Sequence, residues 1–251
     1  MSERFSRTEL LLGKEAIERL ASSRVAIFGT GGVGGYVCEA LARSGVGSFD
    51  LIDNDNVSLS NINRQIIATT KTVGKLKVDV MKERILDINP DAIIITHNCF
   101  FLPENADEFQ FEEYDYVVDA VDTVAAKIAL AVKCQEAKVP IISSMGAGNK
   151  LDPTSFVVTD IYKTKMDPLA RVMRRELKNR NVKKLKVVYS EEKPLSPKKP
   201  LQEENSEISE GLEDSAKQGY KRRSIPGSVA FVPSVAGLII ASEVVKDLIK
   251  C

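Results

Sequence analysis

The chain has 251 residues, 43% of them hydrophobic, enough for one α/β domain with a sizeable core, alone or with a small appendage. Lysine plus arginine number 35, as do aspartate plus glutamate, so no global charge draws the protein to a polyanion and any nucleic-acid site must be a local patch. Cys38, Cys99, Cys134 and Cys251 form no C-x-x-C pair, which argues against a zinc ribbon and for free thiols in a reducing compartment.

The first residues, MSERFSRTELL, lack the apolar core of a signal peptide, and the expected location is the cytoplasm. A short amphipathic helix is predicted over 13–22. RVAIF (24–28) is a compact apolar run that ends at a glycine cluster, as a buried parallel strand does. A helix over 32–44, a strand over 49–53 and a helix over 73–90, closed by Asn89-Pro90, follow. Further strands are predicted over 92–97, within 114–122 and over 140–146, with a helix over 123–138. This alternation implies a Rossmann-like, doubly wound and mainly parallel α/β sheet with helices on both faces.

Beyond residue 150 the pattern loosens. A strand is predicted over 155–161, and Asp167-Pro168 opens a helix that runs to about Arg180. Residues 191–224 mix prolines, serines and both charge signs, as a loop does. The apolar helix over 233–249 is broken by Ser242, Glu243 and Lys246 and is not expected to span a membrane. The expected organisation is a Rossmann-like first part, 1–150, with an N-terminal helical arm, and a smaller α+β extension, 151–251.

The chemistry concentrates after the first strand. Gly29, Gly31 and Gly34 make G-x-G-x-x-G within GTGGVGG (29–35), where a strand turns into a helix whose free N–H groups favour phosphate. Alone, this says only that the domain binds a nucleotide. The next strand ends at Asp53, the distance at which an acid reaches a ribose hydroxyl. The chain then continues DNDNVSLSNINRQ (53–65), denser in hydrogen-bonding groups than a connecting loop requires. Arg64 can fork onto phosphate oxygens and Lys77 can add a point charge, which suits a triphosphate that loses pyrophosphate. Asn61 or Asn63 alone could cap a turn, and Lys77 alone could be a solvated helix residue. It is their combination, in this order, that points to a site. Asp119 and Asp122 close the fourth strand, where Asp122 could hold Mg²⁺ or cap the next helix. The lone histidine, His97, falls on the third strand, where a non-catalytic role is expected.

With GKLK (74–77), INP (88–90) and DAVD (119–122), these segments resemble the ubiquitin-activating-enzyme-like (ThiF/MoeB-type) superfamily of adenylating enzymes over residues 24–150. The resemblance implies an ATP site lined by Gly29, Gly31, Gly32, Gly34, Asp53, Asp55, Asn61, Arg64, Gln65, Lys77 and Asp122. Arg7 matches an arginine that a partner subunit reaches across to the phosphates, which implies a homodimer. Arg7, Arg64, Lys77 and Asp122 would then carry the catalysis, with Mg²⁺ on Asp122. A monovalent cation, Na⁺ or K⁺, is implied by family analogy alone.

Within the superfamily the chain resembles the tRNA threonylcarbamoyladenosine dehydratase branch. The usual Asp-Asn-…-Arg is here Asp122-Thr123-…-Lys127, SSMGAGNKLDPTSFVVTDIYKTKMDPLA (143–170) is similar to that branch's middle segment, and zinc-binding C-x-x-C pairs are absent. Residues 191–224 show no clear correspondence. The implied reaction is ATP-dependent activation of a tRNA-borne carboxylate as an acyl-adenylate, followed by ring closure. The alternative is an adenylating enzyme for a ubiquitin-like sulfur-carrier protein, and the resemblance leaves room for a sulfur-acceptor or cysteine desulfurase partner. Between Lys163 and Lys186 stand ten basic residues against Asp167 and Glu176. Arg171, Arg174, Arg175 and Lys178 recur there at helical spacing and are the candidate tRNA contacts, with Arg222 and Arg223 as a possible extension.

Overall fold

In the computed structural model, which describes residues 3–197 and 226–250, the apolar runs pair into one sheet. Its strands are β1 (Arg24–Phe28), β2 (Ser48–Ile52), β3 (Ile93–His97), β4 (Tyr116–Asp119), β5 (Ile141–Ser144), β6 (Phe156–Asp160) and β7 (Lys186–Ser190). Their spatial order is β3-β2-β1-β4-β5-β7-β6, with every pairing parallel except that of β6 with β7.

Two-residue periodicity sends alternate strand residues to opposite faces. Val25 and Ile27 join a core with α3 (Gly34–Ser44), α4 (Lys77–Ile88) and α7 (Phe231–Leu248). Ala26 and Phe28 join the other core, with α5 (Val124–Ala137) and a cluster of Phe101, Phe109 and Phe111. The helix α6 (Pro168–Asn179) packs on α5. Its start follows the sequence expectation: the Asp167 carboxylate accepts from the Ala170 amide at 2.8 Å, and Pro168 takes a position that needs no donor.

Three local differences from the sequence reading have physical causes. The helix expected from residue 73 begins at Lys77, because residues 74–76 pair back onto 56–57 through Gly74 N–H to Val57 O at 2.8 Å and a bridge between Asn56 and Leu76. The N-terminal arm holds a second helix, α1 (Ser6–Leu12), broken from α2 (Lys14–Ser22) by Gly13 at φ +87°. Strand β7 was not anticipated. Its short apolar stretch, VVY, follows Lys183, Lys184 and Lys186 and reads as part of the basic segment, yet it lies buried between β5 and β6.

Past β5, Asn149 sits in the left-handed region at φ +59° and ties together two distant points of the chain. Its carbonyl accepts from Leu195 N–H at 2.8 Å, and its side-chain oxygen accepts from Gly227 N–H at 2.7 Å. The expected loop 191–224 lies outside the described residues from 198 onward, as do Arg222, Arg223 and Cys251. No helix among the described residues is long and apolar enough to cross a membrane.

Candidate active site

The carboxyl ends of β1, β2 and β4 open on one side of the sheet, and β1 lies between the other two. Chain connections diverge there in opposite directions, which leaves a crevice. A cavity of about 390 Å³ occupies it, and ten of the eleven residues expected to bind nucleotide line it: Gly29, Gly31, Gly32, Asp53, Asp55, Asn61, Arg64, Gln65, Lys77 and Asp122. Gly34 does not. A Cβ at Gly34 would stand 1.8 Å from the Gly29 carbonyl oxygen, so this glycine serves helix-on-strand packing. Gly29 holds φ +90° and passes so close to the Ala120 carbonyl that a Cβ would lie 2.7 Å from its oxygen.

The loop is held from the next strand. One oxygen of Asp53 accepts from the Thr30 amide at 2.8 Å and from the Thr30 hydroxyl at 3.1 Å. The other accepts from the Asp55 amide at 3.0 Å. Lys77, first residue of α4, is buried at 5% exposure, with its ammonium 2.5 Å from Asp55 and 3.9 Å from Asp53. Arg64 is half-buried and, among the described residues, bonds only to its own loop, through Nη1 to Ser60 O at 3.0 Å and Asn63 Oδ1 at 2.9 Å.

Gln65 is 7% exposed, and its Oε1 is the one buried side-chain polar atom without a partner among the described residues. An orphaned buried acceptor is costly, and here it lines a cavity that a hydrogen-bond donor could enter. Asp122 is exposed at the rim, with the Thr123 hydroxyl 3.3 Å away. It does not cap α5, whose N-cap residue is Thr123 and which has no side-chain cap bond. Asp119 is wholly buried. It accepts from Lys127 Nζ at 3.0 Å and Ser143 Oγ at 2.5 Å, and Lys127 also donates to Ser144 O at 2.7 Å.

A family model described as the ThiF family matches residues 5–251. The chain belongs to the ThiF family. Over its whole length it is 47% identical to the tRNA threonylcarbamoyladenosine dehydratase of Bacillus subtilis, covering 96% of that protein. It is 42% identical over 177 residues to the Escherichia coli protein of the same name, covering 70% of this chain and 66% of that one. Among solved structures it resembles E. coli tRNA N6-threonylcarbamoyladenosine dehydratase in complex with ATP, with a TM-score of 0.83, 34% identity and coverage of 98% of this chain and 93% of that one. At 22% identity, the resemblance to E. coli MccB with succinimide, TM-score 0.65, concerns the fold alone.

Sequence reasoning missed part of this ThiF-family site. Cys99, Phe100 and Phe101, just after β3, give the cavity a more apolar wall. The signal was positional, since they follow the carboxyl end of a strand beside β2. Burial, with the Glu108 charge, pushes the Cys99 thiol above its ordinary value, so it stays protonated at neutral pH and is a poor nucleophile. His97 turns inward and sits 3.0 Å from Asp50, away from the cavity lining.

Two groups of expected residues lie elsewhere. Arg7, on α1, is exposed and does not line the cavity of its own chain. On α6, Arg171, Arg175 and Lys178 are exposed, and Arg175 stands 3.0 Å from Glu176. Arg174 is half-buried and donates to the Thr164 carbonyl at 3.0 Å and to the Thr164 hydroxyl.

Proposed function

We propose that the protein is an ATP-dependent dehydratase acting on tRNA that carries threonylcarbamoyladenosine. The observation that carries this reading is the convergence of Arg64, Lys77, Gln65, Asp122 and the glycine loop on one cavity at the sheet's switch point. The whole-length similarity to the B. subtilis dehydratase supplies the substrate class.

In the proposed reaction a carboxylate oxygen of the modification attacks the α-phosphorus of ATP and the bond to pyrophosphate breaks. The resulting acyl-adenylate carries a good leaving group. A nitrogen of the same modification then attacks the acyl carbon, AMP departs, the nitrogen loses its proton, and a hydantoin-type ring closes. The ring closure is intramolecular, so high effective molarity replaces a protein nucleophile. The protein positions the reactants and stabilises charge.

Arg64 offers the triphosphate a planar fork and Lys77 a point charge, and the Lys77 ammonium moves from Asp55 toward phosphate as the anion enters. Gln65 Oε1 takes a donor from the bound nucleotide. Asp53, Asp55 and Asp122 face the cavity against the two cations Arg64 and Lys77, a balance that disfavours an unaccompanied polyanion. Mg²⁺ fits this arrangement, because Asp122 is exposed and, among the described residues, bonded only to Thr123, and Mg²⁺ is commonly held by one carboxylate with phosphate oxygens and water. Held at Asp122, it would supply positive charge against the charge that develops on the triphosphate. We assign no ligands to a monovalent cation and no step to a sulfur-transfer partner.

Arg7 reaches the phosphates of a second copy in this reading, so that the working unit is a homodimer. The exposed Arg171, Arg175 and Lys178 face the tRNA backbone. The deciding experiment is mass spectrometry of tRNA nucleosides after incubation with MgATP. The expected product is the modified adenosine less one water, with one AMP and one pyrophosphate released per ring. Release of AMP and pyrophosphate with a ubiquitin-like carrier protein, and none with modified tRNA, would reject this reading for the carrier-activating one.

A further inference from the structure

Asn63 precedes Arg64, and both ends of its amide are engaged. Its Oδ1 accepts from Nη1 of Arg64 at 2.9 Å, while its Nδ2 donates to the Ser228 carbonyl at 2.9 Å. The two contacts fix the orientation of the amide, since turning it over would set donor against donor and acceptor against acceptor. The same Nη1 also donates to Ser60 O at 3.0 Å. Nε and Nη2 of Arg64 make no hydrogen bond among the described residues, so the guanidinium is held by one nitrogen and keeps the rest of its fork available.

The far end of the link matters as much. Ser228 leads into α7, whose Pro233 rests on the glycine loop, 3.3 Å from where a Gly32 Cβ would stand. Arg64 and the glycine loop follow different strands. Asn63 is the side chain that connects the arginine to the segment lying over that loop.

We infer that Asn63 is a positioning residue that holds the Arg64 guanidinium in phosphate-binding geometry by tying it to the approach to α7. The inference rests on the nucleotide reading of the cavity and names a residue which that reading does not include. A long, flexible arginine gains from being fixed before its ligand arrives, because less freedom is lost on binding. An aspartate at position 63 would keep the acceptor and lose the donor, and an alanine would lose both.

The test is a double-mutant cycle on MgATP affinity, measured calorimetrically with the full-length protein, its Asn63→Ala and Arg64→Ala variants, and the double variant. Asn63→Ala is expected to weaken binding roughly tenfold, the scale of a lost hydrogen bond to a charged group. The double variant is expected to bind no more weakly than Arg64→Ala alone. An unchanged affinity in Asn63→Ala overturns the inference, and so does a weakening that carries over in full into the Arg64→Ala background. If Asn63→Ala lowers the melting temperature, Asn63→Ser runs the same cycle with a polar side chain too short to hold Nη1. A wild-type protein that binds no MgATP would remove the nucleotide reading itself, an outcome distinct from additive effects in a protein that binds.

Discussion

The ammonium of Lys127 lies 3.0 Å from the Asp119 carboxylate, with both side chains shut away from solvent at 1% and 0% exposure. Asp119 ends β4 and Lys127 sits on α5, so the pair fixes the helix to the strand at the turn that carries Asp122. A buried pair is weak evidence for stability, but removing one partner strands a charge, at a cost of about 3–5 kcal/mol. Lys127→Met is therefore expected to lower unfolding free energy by that order in urea titration. Adding Asp119→Asn should recover much of the loss, since no charge then remains buried. Equal stability of Lys127→Met and wild type would show that the pair does not brace the turn.

The glycines of the loop separate packing from binding. Gly34→Ala places a methyl 1.8 Å from the Gly29 carbonyl, a clash no side-chain movement can relieve, and loss of soluble folded protein is expected. At Gly31 the nearest atom to a new Cβ is Gln65 Nε2 at 3.7 Å, so Gly31→Ala has room to fold. Its methyl enters the phosphate approach, and roughly tenfold weaker MgATP binding is expected at an unchanged melting temperature. Circular dichroism and calorimetry on the two variants check both statements.

Among the described residues Arg64 hydrogen-bonds only within its own loop, so the fold is expected to depend little on it. Arg64→Ala is expected to keep the wild-type melting temperature while losing about a hundredfold or more in ATP turnover, the scale of removing one charge-stabilising donor. If Arg7 completes the site of a second copy, Arg7→Ala is similarly inactive, and mixing the two dead proteins after subunit exchange restores about a quarter of wild-type turnover. No recovery from a mixture shown to exchange subunits would place Arg7 outside the site.

Acid stability offers a check away from the cavity. Asp50 is 1% exposed and accepts from Arg24 Nε at 2.8 Å and His97 Nε2 at 3.0 Å. Burial pushes its carboxyl up, but the bonds from His97 and Arg24 outweigh that and hold it below the usual carboxylate range. A group lowered on folding contributes fully above its unfolded value, about 4, and loses the contribution as pH falls through the folded value. Asp50→Asn should therefore be less stable than wild type at neutral pH, with the gap closing below about pH 4. Urea unfolding at neutral and acid pH measures it, and a gap that widens in acid contradicts the assignment.

The first half of the fold was legible because β1, β2, β4 and β5 are mainly buried and, with the apolar edge strand β3, read as plain apolar runs. The site was legible for a related reason. Groups such as Arg64 and Gln65 follow the carboxyl end of a strand, and parallel topology brings such ends together. The misses share a cause. Strand β7 draws its identity from the neighbours β5 and β6, separated from it by 20 or more residues and invisible to local pattern. Phe100 and Phe101 look like core residues in sequence, and only the sheet order sets them beside the glycine loop. Arg174 keeps the helical spacing of its basic neighbours, yet Thr164 draws it inward, a contact that spacing cannot foretell.

Asn149 fastens Leu195 and Gly227, points 32 positions apart, to a single residue. Whatever lies between them hangs from a closed clasp. The cost of closing such a stretch grows slowly with its length, about 0.6 kcal/mol per doubling. A reporter spliced between residues 195 and 227 is therefore expected to leave the melting temperature little changed.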